Sequence, residues 1–210
     1  PVQIPGTNWA TIGSHTYFSN SAGAVKTDGT LWMWGYGDLS GVLGQNQANT
    51  VSSPIQVPGT TWANVATASG APAIPAKPSA MGVKTDGTLW AWGSNESGRL
   101  GQNNQTYYSS PTQIPGTTWA TGTHQLSVGG YGSAAAIKTD GTLWVWGYND
   151  KGTLGQNNNT KYSSPVQIPG TTWRSVLCSN AALSATKTNG SLWVWGNNAS
   201  GMLGQNVPDN

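Results

Sequence analysis

Three aspartates recur in a repeated phrase and are the first residues of this chain that could do chemistry. Asp28, Asp86 and Asp140 each precede a glycine in the phrase Lys-Thr-Asp-Gly-Thr-Leu-Trp. A set of carboxylates could serve acid–base catalysis or bind calcium. Asn189 takes the same place in a fourth copy of the phrase, and Asp-Gly or Asn-Gly between alternating residues is typical of a β-hairpin turn of type I′. The aspartates are therefore predicted to form turns.

The other reactive residues form no recognisable catalytic or metal-binding set. His15 and His124 lie in different repeats, with no Cys, Asp or Glu at ligand spacing. Glu96 is the single glutamate, which disfavours a paired-carboxylate glycosidase site. Cys178 is the single cysteine and is predicted to be a small buried residue. We therefore expect a protein that is not an enzyme and that binds neither cofactor nor metal.

Charge is sparse along the whole chain. Only 8% of the 210 residues are charged and the formal net charge is +2, which excludes the basic footprint of a nucleic-acid-binding protein. Four lysines (Lys26, Lys84, Lys138 and Lys187) recur just before the turns. They are expected to be solvated strand ends, and the alternative is a ring of ammonium groups that attracts an anionic surface. The uncharged stretch from Leu39 to Ala76 is too polar to span a membrane.

Self-similarity reveals the elements that must position these residues. The phrase Gln-(Ile/Val)-Pro-Gly-Thr-x-Trp begins at Gln3, Gln56, Gln113 and Gln167. In each copy, Trp-x-Trp-Gly and Leu-Gly-Gln-Asn follow, so that three tryptophans per copy account for all 12. The chain is therefore a single domain of four units, placed at approximately 1–52, 53–109, 110–163 and 164–210.

Each unit reads as a set of short β-strands. After the turn, Leu143 and Val145 share one face of a strand and Trp144 and Trp146 share the other, which indicates a strand buried on both sides. Prolines bracket the segment from Pro165 to Pro169, as on the edge strand of a sheet. A further strand is predicted after Trp173, with Val176 facing inward, and no segment has helical periodicity. Units of this length and composition favour β-propeller blades.

These motifs resemble the repeat of the regulator of chromosome condensation family. The resemblance rests on the hairpin Asp140 to Gly147, the loop Asn149 to Gly155 and the proline-flanked strand from Pro165, and it covers nearly the whole chain. It implies an all-β propeller of which four blades are present, although the family typically has seven. Among family members, the units look most like those of bacteria and tailed phages.

Two features remain open at this point. The chain starts at Pro1 and is expected to be a processed or partial piece of something longer. Its four blades could close into a ring, or form an arc that further residues or a partner copy complete. We favour an arc.

Aromatic residues that do not recur in every unit are the best candidates for binding a ligand or partner. Tyr107 and Tyr108 lie beside Asn103, Asn104 and Gln105. The other non-recurring aromatics are Tyr17, Phe18, Tyr131 and Tyr162.

The resemblance and the absent site chemistry predict a structural and recognition module on the surface of a phage virion, as a capsid decoration or tail-fibre protein. Its partners would be other proteins of the same assembly, further copies of itself, or a host-surface glycan or receptor. One alternative is a eukaryotic-type module for guanine nucleotide exchange or chromatin binding, and another is a stand-alone carbohydrate-binding propeller. The expected location is the virion surface or the extracellular space, and otherwise the cytoplasm.

Overall fold

The computed structural model describes residues 1–15, 20–37, 39–68 and 77–206, which form four successive β-sheets. We call these sheets blades 1 to 4. Blade 1 holds β1 (Trp9–Ile12), β3 (Ser21–Lys26), β4 (Leu31–Gly35) and β5 (Val51–Val57), while β2 (Ser14–His15) pairs in parallel with the first strand of blade 2. Blade 2 holds β6 (Trp62–Ala68), β7 (Ser79–Lys84), β8 (Leu89–Gly93) and β9 (Tyr108–Ile114), with a 3₁₀ turn at Glu96–Gly98. Blade 3 holds β10 (Leu126–Val128), β11 (Ser133–Ile137), β12 (Leu143–Gly147) and β13 (Tyr162–Ile168), and blade 4 holds β14 (Trp173–Cys178), β15 (Ala182–Lys187) and β16 (Leu192–Gly196).

In blades 2 and 3, the third strand is buried on both faces, as predicted. In blade 3, β12 lies between β11 and β13 in an antiparallel sheet. Leu143 and Val145 face the core shared with blade 4, whereas Trp146 faces the core shared with blade 2. The alternation of leucine and tryptophan therefore fits blade 3 between its two neighbours, and the all-β propeller-type fold is confirmed.

The predictions for the strands that flank this centre also hold. The proline-containing strand β13 pairs on one side only, because Pro165 cannot complete a second ladder. A strand follows Trp173, and its Val176 is buried. The first strands of neighbouring blades contact one another, so they line the axis about which the blades are stacked.

The hairpin turns differ from the predicted type I′ geometry. In blade 3, the Gly141 N–H donates to the Lys138 carbonyl at 2.9 Å, and the Lys138 N–H donates to the Thr142 carbonyl at 2.9 Å. Gly141 has a φ of 77°, whereas Asp140 is not among the residues with positive φ. The turn is therefore a three-residue loop in which a type I turn is followed by a left-handed glycine.

Neighbouring blades are joined by apolar clusters and by tryptophan hydrogen bonds. The clusters join blade 1 to 2, 2 to 3 and 3 to 4. The indole Nε1 of Trp92, Trp146 and Trp195 donates to a loop carbonyl of the preceding blade at 2.7 to 2.9 Å. Each blade is thus anchored to the previous one by a buried directional bond in addition to apolar contact.

The described blades form an arc, because its two end faces are not packed together. Leu192 in blade 4 is 66% exposed, whereas the matching Leu143 in blade 3 is 0% exposed. At the other end, Ile12 in blade 1 is 76% exposed, whereas the matching Val65 is buried. What completes the arc stays a prediction. Within the described residues, no helix is long and apolar enough to cross a membrane.

Candidate functional site

The arc has two faces, which we call the loop face and the turn face, and each is formed by a different set of segments between strands. The loop face holds the segments after the first and third strands of each blade, which meet through backbone hydrogen bonds such as Ser94 N–H to Pro78 O at 2.9 Å and Tyr148 N–H to Gly132 O at 3.0 Å. The turn face holds the hairpin turns and the connectors between blades, which meet through bonds such as Trp173 N–H to Gly141 O at 3.0 Å. The two sets of segments lie at opposite ends of the strands.

On the turn face, the recurring aspartates lie in the turns as predicted and are occupied by a hydrogen-bond chain. Asp140 Oδ1 accepts from the backbone N–H of Thr142 at 3.0 Å and from its hydroxyl at 2.7 Å. The Thr142 hydroxyl oxygen in turn accepts from Trp144 Nε1 at 2.9 Å. The threonine hydroxyl bond is the main cause that lowers the pKa of the Asp140 carboxyl. The same chain recurs around Asp28, Asp86 and Asn189.

The recurring lysines lie at or next to strand ends, as predicted, but each side chain is half-buried between tryptophan rings. Lys138 Nζ lies 5.0 Å from the ring centroid of Trp119 and 4.3 Å from that of Trp144. Trp119 is also the residue that bridges to Lys138 across the sheet. The ammonium is therefore held between two indole rings, and the same arrangement recurs at Lys26, Lys84 and Lys187.

The loop face of blade 2 carries a cluster of charged and aromatic residues around Arg99. Arg99 is 3% exposed, and its guanidinium donates to the carbonyls of Lys77 at 2.8 Å and Glu96 at 3.2 Å. Burial lowers the pKa of Arg99 to about 10. The Tyr107 hydroxyl donates to Glu96 Oε1 at 2.6 Å, and Lys77 Nζ lies 5.2 Å from the Tyr107 ring centroid. Burial and this hydrogen bond raise the pKa of Tyr107.

Blade 3 carries a second cluster of the same character. The rings of Tyr131 and Tyr148 meet edge to face, with 6.0 Å between their centroids. Lys161 Nζ lies 5.1 Å from the Tyr148 centroid and forms an ion pair with Asp150 at 3.0 Å. Burial, followed by the charge of Asp150, raises the pKa of Tyr148. This cluster is a half-exposed aromatic surface with both charge signs beside it.

The two clusters adjoin across the boundary between the blades. A Cβ atom at Gly132 would lie 2.4 Å from Arg99 Nη2, so the guanidinium packs directly on this glycine backbone. Gly132 follows Tyr131 in the chain, and the Tyr148 N–H donates to its carbonyl. The buried arginine of blade 2 therefore supports the tyrosine pair of blade 3. We define the tyrosine patch as the eight residues of the two clusters. These are Lys77, Glu96, Arg99 and Tyr107 from blade 2, and Tyr131, Tyr148, Asp150 and Lys161 from blade 3.

The structure separates the four predicted tyrosines into two pairs. Tyr107 and Tyr131 lie in the tyrosine patch. Tyr108 and Tyr162 instead occupy equivalent places in blades 2 and 3, where each hydroxyl accepts a side-chain amide hydrogen bond at 3.1 Å and each ring packs against the inter-blade core. Tyr17 and Phe18 lie outside the described residues. A binding role for all four tyrosines stays a prediction.

Sequence reasoning missed Arg99, and a comparison of the repeats could have found it. Where blade 2 has Arg99, the other units have Val42, Thr153 and Met202. A buried charge that breaks an otherwise regular repeat indicates a local function, because such a charge is costly unless it is bonded.

His124 and Cys178, which were considered as reactive residues, both contribute to the structure of the blades. His124 has a φ of 60°, and its carbonyl accepts from the Val176 N–H at 2.8 Å. Cys178 is buried, as predicted, and burial raises the pKa of its thiol to about 12. The described part of the chain holds no group of three or more His, Cys, Asp or Glu residues that could bind a metal.

Comparison with protein families and curated proteins supports the repeat family. Residues 86–136 and 140–181 match the model described as the regulator of chromosome condensation (RCC1) repeat. The chain is 28% identical over 165 residues to the mitochondrial RCC1 domain-containing protein RUG3 of Arabidopsis thaliana, which covers 76% of this chain and 34% of that protein. It is 33% identical over 90 residues to human protein RCC2, which covers 41% of this chain and 16% of that protein.

Solved structures show the same fold. Human WBSCR16 superposes with a TM-score of 0.76 at 23% identity over 100% of this chain and 52% of that chain. Yeast RCC1 (Prp20), solved bound to Kap60, superposes with a TM-score of 0.74 at 17% identity over 99% of this chain and 48% of that chain. The chain thus spans about half of these propellers and a third or less of the two curated relatives. These relatives come from a plant, human and yeast, so they do not support the expected resemblance to phage proteins.

Proposed function

We propose that this chain, a set of β-propeller blades built on the RCC1 repeat, is a non-catalytic protein-binding module of the eukaryotic RCC1 type. Its partner is a folded protein that contacts the loop face of blades 2 and 3. The proposal replaces the virion role as the leading hypothesis, because the relatives and structural neighbours favour the alternative expected from the sequence. A location inside a cell goes with this function and is part of the proposal.

The tyrosine patch is the single observation that carries the proposal. On the turn face, Asp or Asn bonds to the Thr or Ser two residues later in the same way in all four blades. The tyrosine patch instead combines tyrosine, arginine, lysine and carboxylates at one place in the molecule. Tyrosine and arginine are the residue types most enriched at the energetic centres of protein interfaces, where a rigid ring gains contact area at small entropic cost.

Arg99 gives the tyrosine patch its rigidity. Its guanidinium bonds two carbonyls of its own blade and packs on Gly132 of the next. The loops on either side of the blade boundary are thereby held together before any partner arrives. Binding to a preorganised surface costs less ordering entropy than binding to mobile loops, which favours specific association.

Structural neighbours indicate which partners to test first. A further structure of Prp20p is described together with its binding to Gsp1p and histones; it superposes on 84% of this chain with a TM-score of 0.65 at 21% identity. Kap60, Gsp1p and core histones are therefore the three probes for this chain.

The decisive experiment measures binding of the 210-residue chain to each of these purified proteins by biolayer interferometry. We expect micromolar affinity for at least one of them, and an affinity at least tenfold lower for the double variant Y107A/Y131A. The matched control is Asn189→Asp, which gives the blade 4 turn the residue found in the other blades and leaves the tyrosine patch unaltered. The proposal fails if none of the three proteins binds, or if the double variant binds as tightly as the unaltered chain.

A further inference from the structure

The outer rim of the blades carries recesses that lie away from the tyrosine patch. In blade 3, a groove of about 270 Å³ is lined by Pro115, Trp119, Lys138, Trp144 and Pro165, with residues 101–103 of the preceding blade as its far wall. In blade 1, a recess of about 470 Å³ at the open end of the arc is lined by the equivalent residues Pro5, Trp9, Lys26, Trp32 and Pro54, and also by Trp34, with no preceding blade in the described residues as its far wall. We call each of these recesses a rim groove. In blade 2, Lys84 Nζ lies 5.0 Å from the ring centroid of Trp62 and 4.2 Å from that of Trp90. The repeat thus places the same lysine and indole pair in blades 1, 2 and 3.

Each rim groove contains a lysine ammonium that forms no ion pair within the described residues, although its charge helps to lower the pKa of the neighbouring aspartate. Lys138 contacts the rings of Trp119 and Trp144, and within the described residues the ion pair found in the structure belongs to Lys161. Asp140, two residues after the lysine, is bonded to Thr142 instead. The ammonium is half-buried against apolar rings, where the attraction for an anion is stronger than in bulk water.

The walls of the rim groove are held in place by contacts between blades. The Asn103 N–H of blade 2 donates to the Ser163 carbonyl of blade 3 at 2.8 Å, and the equivalent Asn46 N–H of blade 1 donates to the Ser109 carbonyl of blade 2 at 2.9 Å. The Gln102 amide donates to the Gln113 carbonyl at 3.0 Å. Indole and proline rings therefore face one another across a fixed gap that is bordered by amide and hydroxyl groups.

We propose that the rim grooves bind the carboxylated sugar units of an acidic polysaccharide. The sugar carboxylate pairs with the lysine ammonium, the apolar face of the sugar ring packs on indole and proline, and its hydroxyls bond to the amides and the serine at the border. The repetition of the site favours a polymer. Grooves with the same residues select a ligand that presents the same group to each, which a polymer of uronic acid units does and a folded protein surface does not.

Repetition also sets how affinity depends on ligand length. A single groove holds one carboxylate by an exposed ion pair and ring contacts, which is a weak interaction. A ligand that reaches two grooves binds the second intramolecularly, and avidity rises without any new type of contact. The sugar polymer should therefore bind far more tightly than its monomer.

The test is calorimetric titration of the 210-residue chain with a galacturonate oligomer long enough to reach adjacent blades. We expect binding that is at least tenfold tighter, per oligomer, than binding of galacturonate monomer. The double variant K84Q/K138Q should lose at least tenfold in affinity, and K84R/K138R should retain most of it because the cation remains. The pair K151Q/K161Q is the matched control, since it removes the same charge from the loop face and should leave sugar binding unchanged.

Four outcomes would overturn the proposal. The oligomer does not bind, or the fully methyl-esterified oligomer binds equally well, or K151Q/K161Q weakens binding as much as K84Q/K138Q does. The fourth is that polyglutamate of equal charge binds as tightly as the sugar, which would assign the rim grooves to acidic peptides. Because Y107A/Y131A is expected to leave sugar binding unaltered, failure here and failure of the protein-binding proposal are distinguishable.

Discussion

The turn face and the loop face of the arc are built from the same four repeats but use them in opposite ways. On the turn face, every blade repeats one chain of contacts from Asp or Asn through Thr or Ser to Trp, with a lysine between two indoles. On the loop face, blade 2 introduces Arg99 where blade 3 has Thr153, and the contacts of the tyrosine patch join blades 2 and 3 alone among the residues that the structure describes. The comparison indicates that the shared turn contacts stabilise every blade, whereas the protein partner that we propose is selected by residues that the blades do not share.

The physical reason lies in how each face is connected to the core. The tryptophans next to the turn face reach into the clusters between blades, so a change there removes contacts on both sides of a sheet. The tyrosines of the loop face lie over the ends of the strands and are half exposed. Three predictions test whether residues of the turn face contribute more to stability than residues of the loop face.

The largest expected effect is at Trp119. This residue is buried among Trp144, Trp146 and the cluster that joins blades 2 and 3. Trp119→Ala should lower the free energy of unfolding by about 3–5 kcal/mol, through lost burial and the cavity left behind. Tyr131→Ala on the loop face should cost less than about 1 kcal/mol, as expected for a half-exposed side chain. Denaturant unfolding monitored by fluorescence measures both, and equal losses would contradict the division between the faces.

A smaller effect is expected at two matched glycines of the turn face. Gly141 has a φ of 77°, and a Cβ there would lie 2.1 Å from the Thr171 carbonyl oxygen of the connector. Gly190 has a φ of 83°, and nothing lies within 4 Å of its Cβ position. Gly190→Ala should cost only the backbone strain of about 1–2 kcal/mol, and Gly141→Ala should cost clearly more because the connector must move.

Thermal unfolding of the two glycine variants checks this difference. A larger loss of melting temperature for Gly190→Ala than for Gly141→Ala would show that contact between turn and connector does not stabilise the turn face.

The smallest effect is a pH dependence confined to three blades. The pKa of Asp28, Asp86 and Asp140 is lowered, mainly by the threonine hydroxyl that each carboxylate accepts from. A carboxyl whose pKa is lower in the folded state stabilises the fold above its unfolded pKa of about 4, and this contribution is lost as the pH falls through the folded pKa. Blade 4 has Asn189 and makes no such contribution.

The triple variant D28N/D86N/D140N isolates this contribution. Its melting temperature should fall less steeply between pH 5 and pH 2 than that of the unaltered chain, since asparagine accepts the same hydrogen bond at every pH, as Asn189 does. Identical pH profiles of the melting temperature would show that the charge of the three aspartates does not stabilise the fold.

Local patterns predicted much of the fold correctly. The alternation of Leu143, Trp144, Val145 and Trp146 predicted a strand buried on both faces, since side chains along a strand alternate at a period of two. Proline predicted the edge strand for a similarly local reason. The turn type was predicted wrongly, because Asp-Gly suits both a two-residue turn and a three-residue loop, and the cross-strand register decides between them.

The candidate site was predicted only in part. Tyr107 and Tyr131 stood out because they break the repeat. Lys138 was expected to be solvated because its partner Trp119 lies 19 residues earlier in the chain and meets it only through a bridge across the sheet. Side chains that far apart in sequence are brought together by strand pairing, which residue types alone do not specify.

The sequence by itself determined the four units, the strand faces and the residues that each unit shares, because turn chemistry and strand periodicity act within a few residues. The tertiary structure alone decided which unshared residues become neighbours. Arg99 and Gly132 belong to different blades, and their contact exists only because the blades stack in a fixed register. The tyrosine patch and the rim grooves both lie at such boundaries between blades, where geometry depends on the packing of whole sheets.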